Sequence, residues 1–407
     1  MLGLEEKKGA LLMTNRLCIP KALQLVLDDI GWFYGADQRS AGLPSRTGIN
    51  RLHVLEDYQI VEELGKEIGQ KINCMLVIGE WDQKGVLKKV PLSNKWGENW
   101  NGSLYYRPQE AEKILSFLDT AEHIEFGFHG LLHDSWTPDG KFLCDGEFYL
   151  PKDLQKGNPK FLASDDYLRS HFDAFYEIYE NVGFKGEIRS FASPCGNKEA
   201  PENGRLTSIL KEYGIKFWHN LHSKRMSEND FPPSFVQNGV IFNKKAIALC
   251  PWEVYDLDPD MIPEYDPEKS GIIGGHWVNL LRYNPQRNFD YLDAWKRFFD
   301  RQCRVFGHIL SKDVEFAHHQ LLYANYAKVS ENEKAIIIDC TEVDAIFPDG
   351  IRPDLYVSIR NSAGKPLCKN GNMTLFEEKI DPMTFKEGFC NYKICRTASS
   401  LIEISFK

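Results

Sequence analysis

Through the first three hundred residues, short apolar runs alternate with stretches whose apolar positions recur every three or four residues. That alternation predicts repeated strand and helix units feeding a mostly parallel sheet. "KALQLVLD" reads as the first strand, "VLEDYQIVEELGKEIGQ" as a helix, and "KINCMLVIG" as the second strand. "RPQEAEKILSFLDTA" is a helix with Pro108 in its first turn, and "HIEFGFHG" is a third strand. After a loop from Asp134 to about Ser164, "DDYLRSHFDAFYEIYENVG" is a helix stopped by glycine, "FKGEIRSFASPCG" a strand and turn, and "NGRLTSILKEYG" another helix. "IKFWHN", "GVIFN", "AIALCPW" and "GIIGGHWVNLL" are further strands, and "DYLDAWKRFFDRQCRVFG" and "KDVEFAHHQLLYANYAKV" are closing helices. The unit recurs about seven times, which predicts an α/β fold built as a distorted (β/α) barrel of about seven strands, with function at the strand C-termini.

From about Glu331 the period drops to two, in "KAIIIDCTEV", "DLYVSIRN", "FCNYKIC" and "SLIEISFK". The expected organisation is a barrel domain over 1–330 and a small antiparallel β-sandwich-like domain over 331–407.

Composition narrows the function. With 407 residues, of which 43% are hydrophobic and 13% aromatic, the chain can bury a large core. A net charge of −9 without a basic block argues against nucleic acid or an anionic membrane as partner, leaving carbohydrates, other small molecules or proteins. Ten cysteines are scattered without paired CxxC knuckles, and several lie in apolar runs, so reduced, buried thiols are expected; Cys390 and Cys395 could still pair across a hairpin. The first residues lack a secretory hydrophobic stretch, and nothing approaches the roughly 20 apolar residues of a membrane helix. The expectation is a soluble, cytoplasmic protein.

"LVLDDIGWFYG" ends an apolar strand on adjacent aspartates, Asp28 and Asp29. Like charges at one point need a cation or a division of labour. "HGLLHD" ends the third strand with His129 and His133 four residues apart, a spacing that in a helical turn brings both imidazoles to one side. A barrel gathers these strand ends around one mouth. Two histidines and one carboxylate form an open, three-ligand set of the catalytic kind, and the second aspartate is left free to take a proton from water.

"LVLDDIG" resembles the "TFDDG" motif of the polysaccharide deacetylases, the NodB-like carbohydrate esterases. "HIEFGFHGLLHD" is similar to their "HEIGNHxxxH" motif, matching at Glu125, Gly127, His129 and His133. The resemblance spans roughly 20–280 and is carried by motifs. It implies that Asp28 is the general base, that Asp29, His129 and His133 hold a divalent metal, most often zinc, and that His276 of "GIIGGHWVNLL" is the general acid. The family's "RxPYG" turn corresponds to "ASPCG", with Pro194 and Gly196 kept, Ala192 where the arginine belongs and Cys195 where the tyrosine belongs. Backbone donation survives such a change, so Cys195 could still offer its N–H to an oxyanion. Arg189 lies three residues before Ala192.

The implied reaction is removal of an acyl group, acetyl foremost, from the amide of an N-acylated carbohydrate. Trp32, Tyr34, Trp136, Trp277 and Arg189 are the candidate substrate contacts; Trp96, Trp100, Tyr105 and Tyr106 either line the same face or pack the loops. His219 and His222 could line the cleft, and Asp256 or Asp258 could orient His276. Two alternatives stand beside this reading: a degenerate barrel that binds glycan without turnover, and a hydrolase of a non-acetyl C–N bond.

Overall fold

Seven parallel strands close on themselves: β1 (Ala22–Ile30), β2 (Ile72–Val77), β3 (Ile124–Gly130), β4 (Ser190–Phe191), β5 (Phe217–Asn220), β6 (Val240–Ala246) and β7 (Ile272–His276). Each pairs with the next in sequence, and β7 pairs with β1 to complete the barrel. This is a computed structural model that describes residues 16–37, 45–152, 160–195, 204–220, 233–246, 254–262, 271–369, 371–375 and 388–407.

The barrel forms because its strands are apolar on both faces, as parallel strands covered by helices must be. Along β1, Leu23, Leu25 and Leu27 face the outer core, whereas Ala22 and Val26 belong to the inner cluster. Alternation then turns Asp28 inward at the strand's C-terminal end. Among the described residues, the helices packed on the strands are α1 (Leu55–Ile68), α2 (Pro108–Leu118), α3 (Asp165–Val182), α4 (Arg205–Glu212), α5 (Leu292–Phe306) and α6 (Val314–Tyr326). Their ends obey local chemistry: Ser164 caps α3 by accepting from the Tyr167 N–H, and Gly183 stops it in the left-handed conformation. Helix α6 packs Phe316, Ala317 and Leu321 against Ala22, Val26, Met75 and Ile272, closing the barrel at the end opposite the strand C-termini.

Its other residues, Val314, Leu322 and Tyr323, join the core of the second region. There, β8 (Lys328–Glu331), β9 (Ala335–Asp339), β11 (Pro366–Lys369) and β14 (Leu401–Phe406) form one four-stranded antiparallel sheet, and β10 (Leu355–Arg360), β12 (Gly371–Leu375) and β13 (Phe389–Arg396) form three strands of a second. Ile336, Ile338, Ile402 and Ile404 of one sheet share a core with Leu355, Val357, Ile359 and Ile394 of the other. The second sheet also recruits Leu17–Cys18, a two-residue strand ahead of the barrel.

Several local expectations change. The stretch from Asp134 carries two short hairpins, Asp134–Trp136 with Phe142–Asp145 and Tyr149–Pro151 with Lys160–Leu162. "CTEV" starts a short helix, α7 (Thr341–Ile346), instead of extending its strand. Cys390 and Cys395 lie on the same strand, β13, and are both free, so they do not bridge a hairpin. Cys74, Cys303 and Cys340 are free and buried, as expected of reduced thiols, and Cys18 and Cys144 are buried as well. Cys250, and most of the strand expected at "AIALCPW", lie outside the described residues. Among the described residues, no helix is long and apolar enough to cross a membrane.

Candidate metal centre

A regular strand would send Asp28 and Asp29 to opposite faces. The β1–β2 register instead shifts between Leu27 and Ile30, and Asp29 has a φ of +67°. This bulge re-aims Asp29 to the mouth that Asp28 already faces. Gly31 follows with φ +115°, and a Cβ there would lie 2.3 Å from the Val77 carbonyl oxygen, so only glycine fits.

His129 ends β3 on the inside. Its Nδ1–H donates to the Ala192 carbonyl at 2.7 Å, which leaves the Nε2 lone pair for the mouth. The chain then bends through Leu131 and Leu132 to His133, which has a φ of +68°. The two histidines therefore converge through a strand end and a left-handed bend, not through the helical turn that their spacing predicts. His133 Nδ1 lies 3.3 Å from Asp134 Oδ1, and Asp134 Oδ2 accepts the Ser45 N–H at 2.7 Å. Nε2 of His129 and Nε2 of His133 stand 3.4 and 3.6 Å from Asp29 Oδ1. One ligand atom from each of the three residues lies within 4.8 Å of the others.

These residues fit a divalent cation. Asp29 Oδ1 is buried without a hydrogen-bond partner, and both imidazoles have their far nitrogens engaged, as metal-bound histidines do. Burial alone would push the Asp29 carboxyl up, but His133 and His129 hold it far below the usual carboxylate range. Burial pulls His133 down, yet Asp29 and Asp134 outweigh it and lift the imidazole to about 9. The cluster thus favours positive charge at its centre. Two imidazole nitrogens and one carboxylate with open positions suit a divalent transition metal.

Asp28 has a different partner. Its Oδ2 receives a hydrogen bond from Lys245 Nζ, which β6 buries inside the barrel, while Oδ1 is buried and unpartnered. Burial would raise the Asp28 carboxyl, but Lys245 first, then His129 and His276, more than offset this and keep it low. Sequence reasoning missed Lys245. The available signal was "FNKKA", two lysines in an apolar strand, of which alternation from Ile241 through Asn243 turns the second inward. Arg189 cannot serve in its place. It pairs with Glu125 at 2.9 Å and Glu315 at 2.8 Å, near the start of β3 and away from the mouth.

The β7–β1 register sets His276 beside Asp28. Its Nδ1 is buried and unpartnered, and burial holds the imidazole below its ordinary value although Asp29 and Asp28 oppose this. Neither candidate carboxylate orients it. Asp256 faces the Tyr283 N–H at 3.4 Å and Arg282 Nε at 4.0 Å, and Asp258 caps a short helical turn through the Asp260 N–H. Cys195 is exposed, with φ +58°, in the turn after β4; Pro194 packs beside Gly130, next to His129, and Gly196 lies outside the described residues. His219 is buried in the barrel interior, its Nδ1 3.4 Å from His318 Nε2, and burial drives it down to about 3. His222 lies outside the described residues.

The aromatics divide. Trp32, Trp136 and Trp277 are fully buried. Trp277 stacks on His53 with centroids 4.2 Å apart and donates Nε1–H to the Asp57 carbonyl, and Trp136 packs edge-on against Phe142. These tryptophans belong to the packed wall and offer no open face, whereas Tyr34 and Tyr105 are half-buried.

No protein-family model matches this chain, and no curated protein does. Among solved structures, it is similar to a carbohydrate deacetylase, Agd3, at 10% identity over 97% of this chain and 67% of that one, with a TM-score of 0.46. It is also similar to the α-amylase AmyC from Thermotoga maritima, at 10% identity over 56% of this chain and 46% of the amylase, with a TM-score of 0.26. The catalytic domain of a GH30 xylanase C from Talaromyces cellulolyticus aligns at 8% identity over 95% and 98% of the two chains, with a TM-score of 0.30.

Proposed function

We propose that this chain is a metal-dependent hydrolase that removes an acyl group, acetyl foremost, from the amide of an N-acylated carbohydrate. The observation that carries the reading is a division of labour at one mouth: Asp29, His129 and His133 face one another, while adjacent Asp28 is engaged by Lys245 and flanked in register by His276. A divalent cation held by the first three residues would polarise the acyl oxygen and a water molecule.

Asp28 is ionised at neutral pH and keeps Oδ1 free, so it removes a proton from the attacking water. Lys245 holds the other oxygen, which fixes the carboxylate and leaves one lone-pair face for that proton. His276, beside Asp28 and kept neutral by its burial, passes on to the leaving nitrogen the proton that Asp28 takes from the water. The Cys195 N–H, in the turn beside His129, is the backbone donor for the oxyanion. The products are a carboxylate and a free amine.

Ala192, standing where the resembled family has an arginine, is the feature that favours a degenerate, glycan-binding barrel. Lys245 supplies a buried cation to the same aspartate, which favours the hydrolase. The test is acetate release from chitooligosaccharides by protein of measured metal content. Stoichiometric zinc with acetate release that disappears in Asp28→Asn supports the reading; tight metal without turnover on any acylamide refutes it.

A further inference from the structure

His129 and His133 are joined by Gly130, Leu131 and Leu132, and this short bend decides how far apart the two imidazoles stand. The β2–β3 register pairs Leu76 with Phe128 and then Val77 with Gly130, so His129 is passed over as a bulge. Just beyond it, the Gly130 carbonyl accepts the Ile78 N–H at 3.2 Å and the Leu131 carbonyl accepts the Gly79 N–H at 2.6 Å. The Leu131 N–H goes to a side chain instead, donating to Glu147 Oε2 at 2.8 Å.

Glu147 lies between the two hairpins that follow the bend and is fully buried. Its carboxylate stands against the strand end, since a Cβ on Gly130 would come within 2.5 Å of Oε2. Oε1 meets Nδ1 of His171 at 2.6 Å, and His171 Nε2 donates to the Pro91 carbonyl at 3.0 Å. His171 belongs to the buried face of α3, where its ring lies 4.1 Å from that of Tyr167. Each oxygen of the carboxylate is thus assigned, one to α3 and one to the bend.

An acid and a histidine removed from water in this way are a poor route to stability. Well-packed apolar residues in their place are often neutral or stabilising, because desolvation rivals the attraction between the two groups. What the pair adds is geometry. Its bond to Leu131 fixes a peptide group two residues from each histidine, and ligand atoms must stand within about 0.2 Å of their ideal distances from a metal.

We infer that Glu147, held by His171, is a positioning residue that sets the convergence of His129 and His133. Its effect on zinc rests on the metal-site reading above; its effect on the bend rests on the hydrogen bonds alone.

The test uses the full chain. In metal-free wild type, the Leu131 amide should exchange with deuterium as slowly as the amides of β3, although it lies beyond the strand; fast exchange there overturns the inference before any variant is made. The double variant Glu147→Leu with His171→Leu removes the pair without leaving a lone buried charge, so its urea midpoint should stay near that of wild type. Its Leu131 amide should exchange at least about tenfold faster, and its zinc affinity should fall by about 10–100-fold, the size expected when a group behind a metal ligand is removed. Glu147→Gln should restore both, because its amide oxygen accepts from Leu131 while its N–H donates to His171 Nδ1. Phe298→Leu, in the outer core on α5, should lose stability and keep both Leu131 protection and zinc affinity. A double variant that does not fold makes the pair a structural one and overturns the inference, as does unchanged exchange or zinc affinity in that variant, or an equal loss of affinity in Phe298→Leu. A wild-type chain that binds no zinc refutes the metal centre, and the bend is then judged by Leu131 exchange and by the His129–His133 separation in crystals of wild type and double variant: a wider separation in the variant sustains the inference, and equal separations overturn it.

Discussion

Lys245 Nζ lies 2.5 Å from Asp28 Oδ2, and the two side chains are only 1% and 10% exposed. A pair this deeply buried is costly to break from one side, because the surviving charge is left without water or partner. Lys245→Met should therefore destabilise the fold by about 3–5 kcal/mol and lower kcat at least a hundredfold, within the roughly 10²–10⁴ range of a proton-transfer group. The double variant Asp28→Asn with Lys245→Met should recover most of the stability and none of the activity. Chemical denaturation of the four proteins of this cycle checks the prediction, and additive stability losses would show that the two groups are not coupled.

Metal retention separates the two aspartates. Asp29→Ala, His129→Ala and His133→Ala should each lose bound zinc, measured by elemental analysis after gel filtration, since each removes one of three ligands. Asp28→Asn should keep the metal and lose activity. Asp134→Asn removes the carboxylate behind His133 and should weaken zinc affinity by about 10–100-fold without abolishing it. Equal zinc content in Asp28→Asn and Asp29→Ala proteins would contradict the assignment.

The barrel was legible because its strands are continuous apolar runs between amphipathic helices, and because buried parallel strands tolerate little else. Asp28, Asp29, His129 and His133 were legible because adjacent acids and paired histidines at strand ends have few structural uses. The route by which they meet was not. A bulge at Asp29 and a left-handed bend at His133 are backbone events that residue spacing does not encode. Lys245 was hidden for another reason: its partner is 217 residues away, and only the closed register reveals that a lysine on β6 reaches a carboxylate on β1. The tryptophans misled because a large aromatic in a loop reads the same whether it floors a site or fills a wall, and Trp136 and Trp277 fill the wall. Leu17–Cys18 shows the same limit on a larger scale, since two residues are too few to carry a period.

Asp57 gives the fold an acid-sensitive joint. It is buried, accepts from both Arg51 Nη atoms, and receives the Asn288 Nδ2–H at 2.8 Å. Burial would raise its carboxyl, but His53 and Arg51 hold it down to about 2, from an ordinary 3.8. A depressed carboxyl stabilises the fold fully above its unfolded value, and the contribution is lost as pH falls through 3.8 toward 2. It is worth about 2–3 kcal/mol at neutral pH. Wild-type stability should therefore drop steeply between about pH 4 and pH 2, and Asp57→Asn should be less stable at pH 7 with a flatter acid limb. Urea midpoints across that range provide the measurement, and parallel curves for the two proteins would rule the contribution out.

Gly31 links the bulge to the chemistry. With φ +115° and the Val77 carbonyl oxygen 2.3 Å from where a Cβ would stand, Gly31→Ala must move either its own backbone or β2. The residue two positions before it is Asp29, already in a left-handed conformation that costs about 1–3 kcal/mol and persists only because its surroundings impose it. Relaxing the turn releases that constraint, so Asp29 should swing back toward the outer face that strand alternation prefers. Gly31→Ala is therefore expected to lower zinc affinity and activity together, whereas Lys245→Met lowers activity with the metal retained. Zinc titration beside kcat on the two variants distinguishes them. A Gly31→Ala protein that is destabilised but binds zinc with wild-type affinity would mean that the ligand geometry does not depend on this turn.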